Sequence, residues 1–89
     1  MSRNIIARAA LPAPRVGEVK ADIVLVHLDH NSVTPYVTWQ MNLDDESCYW
    51  GHYHKTLSEA AAEFQGRCAE KKAIQYSCYV SGKRPEFTR

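Results

Sequence analysis

Apolar positions recur along this chain with two different periods. The run "DIVLVHL" over residues 22–28 is apolar and rich in β-branched side chains, which predicts a strand at the centre of a sheet. Asn31, Ser32 and Pro35 supply turn chemistry after it. Over residues 36–42, Val37, Trp39 and Met41 alternate with Tyr36, Thr38 and Gln40, a period-two strand. The polar stretch "LDDES" has the length of a hairpin loop, and "CYWGHYHK" over residues 48–55 is the third strand. Thr56 followed by Glu59 then forms a capping box. Behind it Leu57, Ala60, Ala61, Phe64 and Cys68 fall on one helical stripe, with Ser58, Glu63, Arg67, Glu70 and Lys71 largely outside it. Gly66 weakens this helix or marks a close approach to the sheet. Alternation of Ile74, Tyr76, Cys78 and Val80 predicts a further strand.

These elements specify an α+β domain: an antiparallel meander of three to four strands packed on one α-helix, in the order β-β-β-α-(β). The domain is expected over residues 21–81, after an N-terminal arm and linker (1–20) and before a C-terminal tail (82–89). Within the arm, "IIARAAL" has the character of a short extra strand, and "PAPR" that of an extended linker.

Strand register decides the surroundings of the aromatic residues. With Trp39 opposite Gly51, the residues Val37, Trp39, Met41, Tyr49, Gly51 and Tyr53 share a face, and this face would meet the helix. Cys48, Trp50, His52 and His54 then share the other with Thr38 and Gln40, whereas a one-residue slip would pair Trp39 with Trp50. In either register aromatic rings occupy both faces. The face without the helix therefore calls for a terminal segment, a dimer mate or a binding partner.

With 89 residues the chain makes one domain with a modest core. Its 45% hydrophobic and 24% charged content argue against global disorder. No apolar run reaches the ~20 residues of a membrane span, and Arg8 breaks the early apolar stretch that a signal peptide would need. Cys48, Cys68 and Cys78 match no disulfide framework, so reduced thiols in a cytoplasm are expected. The net charge of +1 conceals an uneven distribution. Residues 1–20 carry +3, residues 21–47 carry −5 with no Lys or Arg, and residues 48–89 carry +3.

The third strand carries the residue types of two kinds of chemistry. Cys48, His52 and His54 project to one side and supply zinc-type donors, with His27 or His30 as a fourth. Ligands two apart on a strand are however spaced about 6–7 Å, and the pattern matches no usual metal motif, so no metal and no other cofactor is expected. Cys48 activated by His52, oriented by Asp44 or Asp45, has the residue types of a nucleophile and its base. A small sheet with one helix offers little room for a substrate, and neither a phosphate loop nor a nucleophile elbow occurs. A non-enzymatic role is expected.

"CYWGHYHKTLSEAAAEF" is similar in rhythm to the third strand and helix of AP2-type and phage-integrase arm-binding domains, over roughly residues 36–68. That resemblance implies a sheet laid into the DNA major groove. Its sheets bear Arg and Lys, however, where this chain is acidic, and phosphate contacts dominate affinity for DNA. The pattern "PYVTW…YWGHY…EA…F", at Pro35–Trp39, Tyr49–Tyr53, Glu59–Ala60 and Phe64, resembles small bacterial plasmid- and phage-type proteins of no established activity. It implies a mobile-element accessory role, including inhibition of a host protein.

The function expected is thus a protein-interaction module, binding a protein partner or a second copy of itself. Trp39, Trp50, Tyr36, His52 and His54 would present the sheet face, and Asp44, Asp45 and Glu46 an acidic hairpin that steers toward a basic surface. The alternative is a small DNA-binding domain of the AP2 or integrase-arm type.

Overall fold

The computed structural model of the protein describes residues 4–12, 20–29 and 31–76. They form a five-stranded antiparallel sheet, β1 (Asn4–Ala10), β2 (Ala21–His27), β3 (Tyr36–Asn42), β4 (Cys48–His54) and β5 (Ile74–Tyr76), with a helix α1 (Leu57–Lys71) between β4 and β5. The spatial order is β4-β3-β2-β1-β5. The α+β class and the β2-β3-β4 meander are as expected from the sequence; the strand count rises by one. The short extra strand read in "IIARAAL" is present as β1. It pairs with β2 from Asn4↔His27 to Ala10↔Asp22, so the sheet starts well before residue 21. The tail expected over 82–89 and the later part of the last strand, 77–80, lie outside the described residues.

The packing shows how β1 accommodates its one charged residue. Arg8, which breaks its apolar run, is bound to Asp22 on β2, its Nε and Nη2 donating to Oδ2 at 3.0 and 2.7 Å. The Tyr76 hydroxyl of β5 donates to the same oxygen, and the Arg8 guanidinium stands 5.2 Å over the Tyr76 ring. Asp22 is fully buried. A buried carboxylate is tolerated where charge-assisted hydrogen bonds replace its water, and here they tie three neighbouring strands together.

Helix α1 begins as the sequence predicts. The Thr56 hydroxyl caps it by accepting from Glu59 N at 3.2 Å, although no reciprocal bond from the Glu59 carboxylate is formed among the described residues. It ends at Lys72, which takes the left-handed conformation (φ 57°) while Ala73 N donates to Cys68 O at 2.9 Å. Ala60, Phe64 and Cys68 are buried; Leu57, placed on the stripe by its spacing, is exposed. A Cβ at Gly66 would meet nothing, so no close approach to the sheet occurs there.

The sheet has an apolar layer on each side, because the middle of β2, Ile23 to Val26, is apolar at the positions that alternation sends either way. Ile23 and Leu25 join Ala9, Ala60, Phe64 and Cys68 under the helix, with Tyr36 at the margin. Val24, Val26, Leu28, Val37 and Met41 form the opposite layer with Trp39, Leu43 and Cys48 beside them. The helix therefore covers the face of Tyr36 and Thr38, not the expected face of Val37, Trp39 and Met41. The reason is topological. The pairings make β4 and β5 parallel, at opposite edges of the sheet, so β4-α1-β5 is a crossover. Such crossovers are right-handed almost without exception, and that handedness decides which face receives the helix. The opposite layer is closed all the same: Val24, Val26 and Val37 are at most 1% exposed in the single chain. No dimer mate or partner is required to bury them.

Candidate functional site

The β3–β4 hairpin carries most of the residues singled out from the sequence. Its register is Tyr36↔His54, Val37↔Tyr53 and Thr38↔His52, then slips by one to Gln40↔Tyr49 and Met41↔Cys48. Trp39 thus faces two residues, Trp50 and Gly51, in a β-bulge. The indole lies on Gly51, as the expected register required. A Cβ built there would stand 2.7 Å from Trp39 Cδ1 and closer still to Nε1. Trp39 in turn meets the edge of Tyr53, with ring centroids 6.2 Å apart. Gly51→Ala is expected to push the indole out of this seat at a cost of about 1–3 kcal/mol, typical of overpacking. Urea unfolding measures the cost, and a red shift of tryptophan emission marks the displaced ring.

The bulge also redistributes the side chains. Tyr49 leaves the Trp39 face, contrary to expectation, and its hydroxyl donates to Asn42 Oδ1 at 2.6 Å. Cys48 packs in the layer of Val37 and Met41, its thiol 3.7 Å from Glu46 O. His52 and His54 stay on the helix side. The three zinc-type donors are therefore not assembled, nor is a Cys48–His52 pair, and among the described residues no group of three His, Cys, Asp or Glu side chains is suited to hold a metal ion. Cys68 is buried under the helix, which pushes its thiol up, with the charge of Arg67 acting weakly the other way.

Trp50 has the least ordinary conformation of the hairpin. Its φ is 56°, a left-handed value at which a bulky side chain is strained and which glycine adopts freely. The ring is 62% exposed and its one ring contact among the described residues is edge-on with Tyr49, centroids 4.7 Å apart. Tyr53, two residues past Gly51, is 51% exposed. The turn that precedes β4 places Asp44, Asp45 and Glu46 in solvent, Glu46 again at positive φ (59°). Asp45 Oδ1 accepts from Ser47 N at 3.0 Å and from its hydroxyl at 2.7 Å, and these bonds hold the carboxyl below its ordinary range. Of the −5 read over residues 21–47, Asp22 is neutralised inside by Arg8 and Asp29 lies 3.1 Å from His27. What faces outward as one cluster is the turn.

The histidines of β4 meet α1. Glu63 Oε1 accepts from the Thr38 hydroxyl at 2.5 Å and from His52 Nδ1 at 2.7 Å. His54 Nε2 lies 3.5 Å from the same oxygen, buried and without a hydrogen-bond partner among the described residues. Arg67, one turn along the helix, donates from Nη1 to the Thr38 carbonyl and hydroxyl at 3.2 and 3.0 Å and stands 3.9 Å from Glu63. Burial pushes the Glu63 carboxyl up, but the hydrogen bonds from Thr38 and His52, the longer 3.5 Å contact of His54 and the charge of His52 outweigh it and leave it below the usual carboxylate range.

The structure sets Trp50 against Tyr49 and Tyr53 against Trp39 on the outer strand, with Asp44, Asp45 and Glu46 in the turn at its start. Tyr36 is partly buried beside the helix core, 5.2 Å from the His27 ring, and His54 is turned inward, so neither presents a binding face. Glu63, Arg67 and Thr38 were missed, because the helical stripe assigned Glu63 and Arg67 to solvent. The chain matches no protein-family model, no curated protein and no solved structure.

Proposed function

We propose that the chain is a non-enzymatic interaction module that binds a protein partner through the outer edge of β4. Trp50 and Tyr53 serve as aromatic anchors, and Asp44, Asp45 and Glu46 select a basic surface. The observation that carries the reading is Trp50: a large apolar ring held in solvent, at a backbone position where glycine would relieve both strain and exposure. Left-handed conformation costs an L-residue roughly 1–2 kcal/mol, and such costs concentrate at binding sites. Aromatic residues are the commonest anchors of protein interfaces, and exposed charge beside them sets the rate and choice of encounter. The same face argues against DNA recognition by the sheet. Its exposed charge is the acidic turn of Asp44, Asp45 and Glu46, which repels the phosphates that dominate affinity for DNA.

Trp50→Gly separates binding from folding. Relief of the left-handed strain offsets the lost contact with Tyr49, so its stability is expected within about 1 kcal/mol of the parent. Immobilised parent chain is expected to retain a basic bacterial protein at low salt, and Trp50→Gly to lose it. The triple change Asp44→Asn, Asp45→Asn, Glu46→Gln is expected to weaken capture and flatten its salt dependence. Capture that is indifferent to Trp50→Gly overturns the reading, as does salt-dependent binding of duplex DNA by the parent. A stable dimer that Trp50→Gly dissociates would assign this edge to self-association instead.

A further inference from the structure

We propose that the outer edge of β4 takes up an extended segment of its partner as an added antiparallel strand, and that this segment ends in basic residues. Strand addition presupposes that β4 is the binding edge, as read above, and names the form the partner takes. β4 is the last strand of the sheet and pairs with β3 alone. The direction of its main chain follows from the ladder. Leu28 N donates to Pro35 O, so the main chain of residue 35 points to β2. In an antiparallel ladder the N–H and C=O of successive residues turn to opposite sides. Tyr36 and Thr38 thus point to β4, opposite His54 and His52, and the bond from Asn42 N to Ser47 O keeps the same parity. Tyr53, between the two histidines, is opposite Val37, whose main chain serves β2. The N–H and C=O of Tyr53 therefore face away from the sheet.

The exposed rings stand on both sides of that edge. Trp50 meets Tyr49 edge-on, and the Tyr49 hydroxyl is held by Asn42 and Gln40, which share the helix side of β3 with Thr38. Tyr53 meets Trp39, which belongs to the opposite layer. A flat partner surface laid on either face of the sheet reaches the ring on that face only. A strand sends successive side chains to the two faces in turn, so one laid along β4 reaches both rings while its main chain bonds Tyr53.

Charge along the strand sets the direction. Asp44, Asp45 and Glu46 are exposed before the first residue of β4, and Lys55 is exposed after the last. In an antiparallel pair the end of the incoming segment comes beside the start of β4, so basic residues are attracted there and repelled at the other end. The bulge at Trp50 and Gly51 decides against a second copy as the occupant. Bulges interrupt the ladder and keep edges from long self-pairing. Two copies of β4 running antiparallel would bring two interruptions together, whereas a partner's segment needs only the regular stretch from His52 to His54.

Two capped synthetic peptides test this, one of alternating threonine and valine ending in arginines, the other with the same residues in reverse order. Followed by NMR of the isotope-labelled chain, the first is expected to shift the amides of His52, Tyr53 and His54 and to slow exchange of the Tyr53 amide. The reversed peptide is expected to bind about threefold or more weakly, and equal binding overturns the assigned direction. Replacing the Tyr53 amide N–H by an ester oxygen keeps the ring and removes the outward donor, and is expected to weaken the first peptide about threefold or more. Binding indifferent to the ester overturns strand addition, as does the absence of shifts and protection at about 1 mM peptide. If capture of the basic protein then still depends on Trp50, β4 keeps its role as a binding edge and only the added strand is lost. Capture indifferent to Trp50→Gly is the separate failure of that role. Protection of the Tyr53 amide that rises with protein concentration, without peptide, assigns the edge to a second copy and likewise overturns the proposal.

Discussion

Arg8→Ala is expected to destabilise the domain by about 3–5 kcal/mol, the usual cost of stripping one partner from a buried ion pair. Asp22 is fully buried and receives two hydrogen bonds from Arg8, at 3.0 and 2.7 Å. Truncating the arginine takes both of these bonds from a carboxylate buried beside Val24 and Met41. For a domain of this size each kcal/mol lowers the melting temperature by roughly 4–8 °C, so the variant is expected to be largely unfolded at 37 °C. The paired change Arg8→Met with Asp22→Leu is expected to cost less than Arg8→Ala alone, because it removes both charges rather than one. Urea unfolding of the three proteins distinguishes the cases. A loss under about 1 kcal/mol for Arg8→Ala would mean that the carboxylate is solvated or neutral, and that the pair contributes nothing.

That pair also shows where a sequence reading stops. Strands β2 and β3 and the helix are local patterns: a β-branched run, a strict alternation, and a Thr56 cap ahead of a spaced apolar stripe. Each is legible because the residues that decide it lie within a few positions of one another. Arg8 was unreadable in the same way, since it spoils the apolar run of β1 and is made acceptable only by an aspartate 14 positions later and a tyrosine on β5. The strand itself was legible in "IIARAAL"; the distant partners of its inward charge were not.

The candidate site divides along the same line. Trp39 over Gly51 followed from hairpin register, and an isolated glycine in a strand is itself a signal of a bulge or of close approach. The bulge could have been placed there, and with it the turning of Tyr49 and Cys48 to opposite sides. The Glu63 cluster could not. Which face of the hairpin meets α1 depends on β5 joining β1 at the far edge, a long-range pairing with no local mark. Once that crossover is set, Thr38, His52 and His54 lie beneath the helix, and Glu63 and Arg67, placed in solvent by their own spacing, become the residues that reach the sheet.

Phe64→Ala is expected to cost about 3–5 kcal/mol, the upper part of the range for core truncations. Phe64 is 1% exposed and is the single large side chain that α1 contributes to the layer it shares with Ile23 and Leu25. Its other neighbours in that layer are mostly small: Ala7, Ala9, Ala60, Ala61 and Ala73. Alanines have no rotamers with which to fill a cavity, so the site cannot collapse and the penalty of the void is added to the lost burial. The consequence extends past the core. An isolated helix of 15 residues is marginal in water, and this one is held chiefly by its apolar stripe. Loosening it also withdraws Glu63 from His52 and His54. Phe64→Ala is therefore expected to lose helical ellipticity at temperatures where the parent is folded, while Phe64→Leu, which keeps most of the volume, is expected to cost under about 1.5 kcal/mol. Retention of full helical signal with a loss below about 1 kcal/mol would mean that α1 is anchored by its polar contacts to β3 and β4 rather than by the ring.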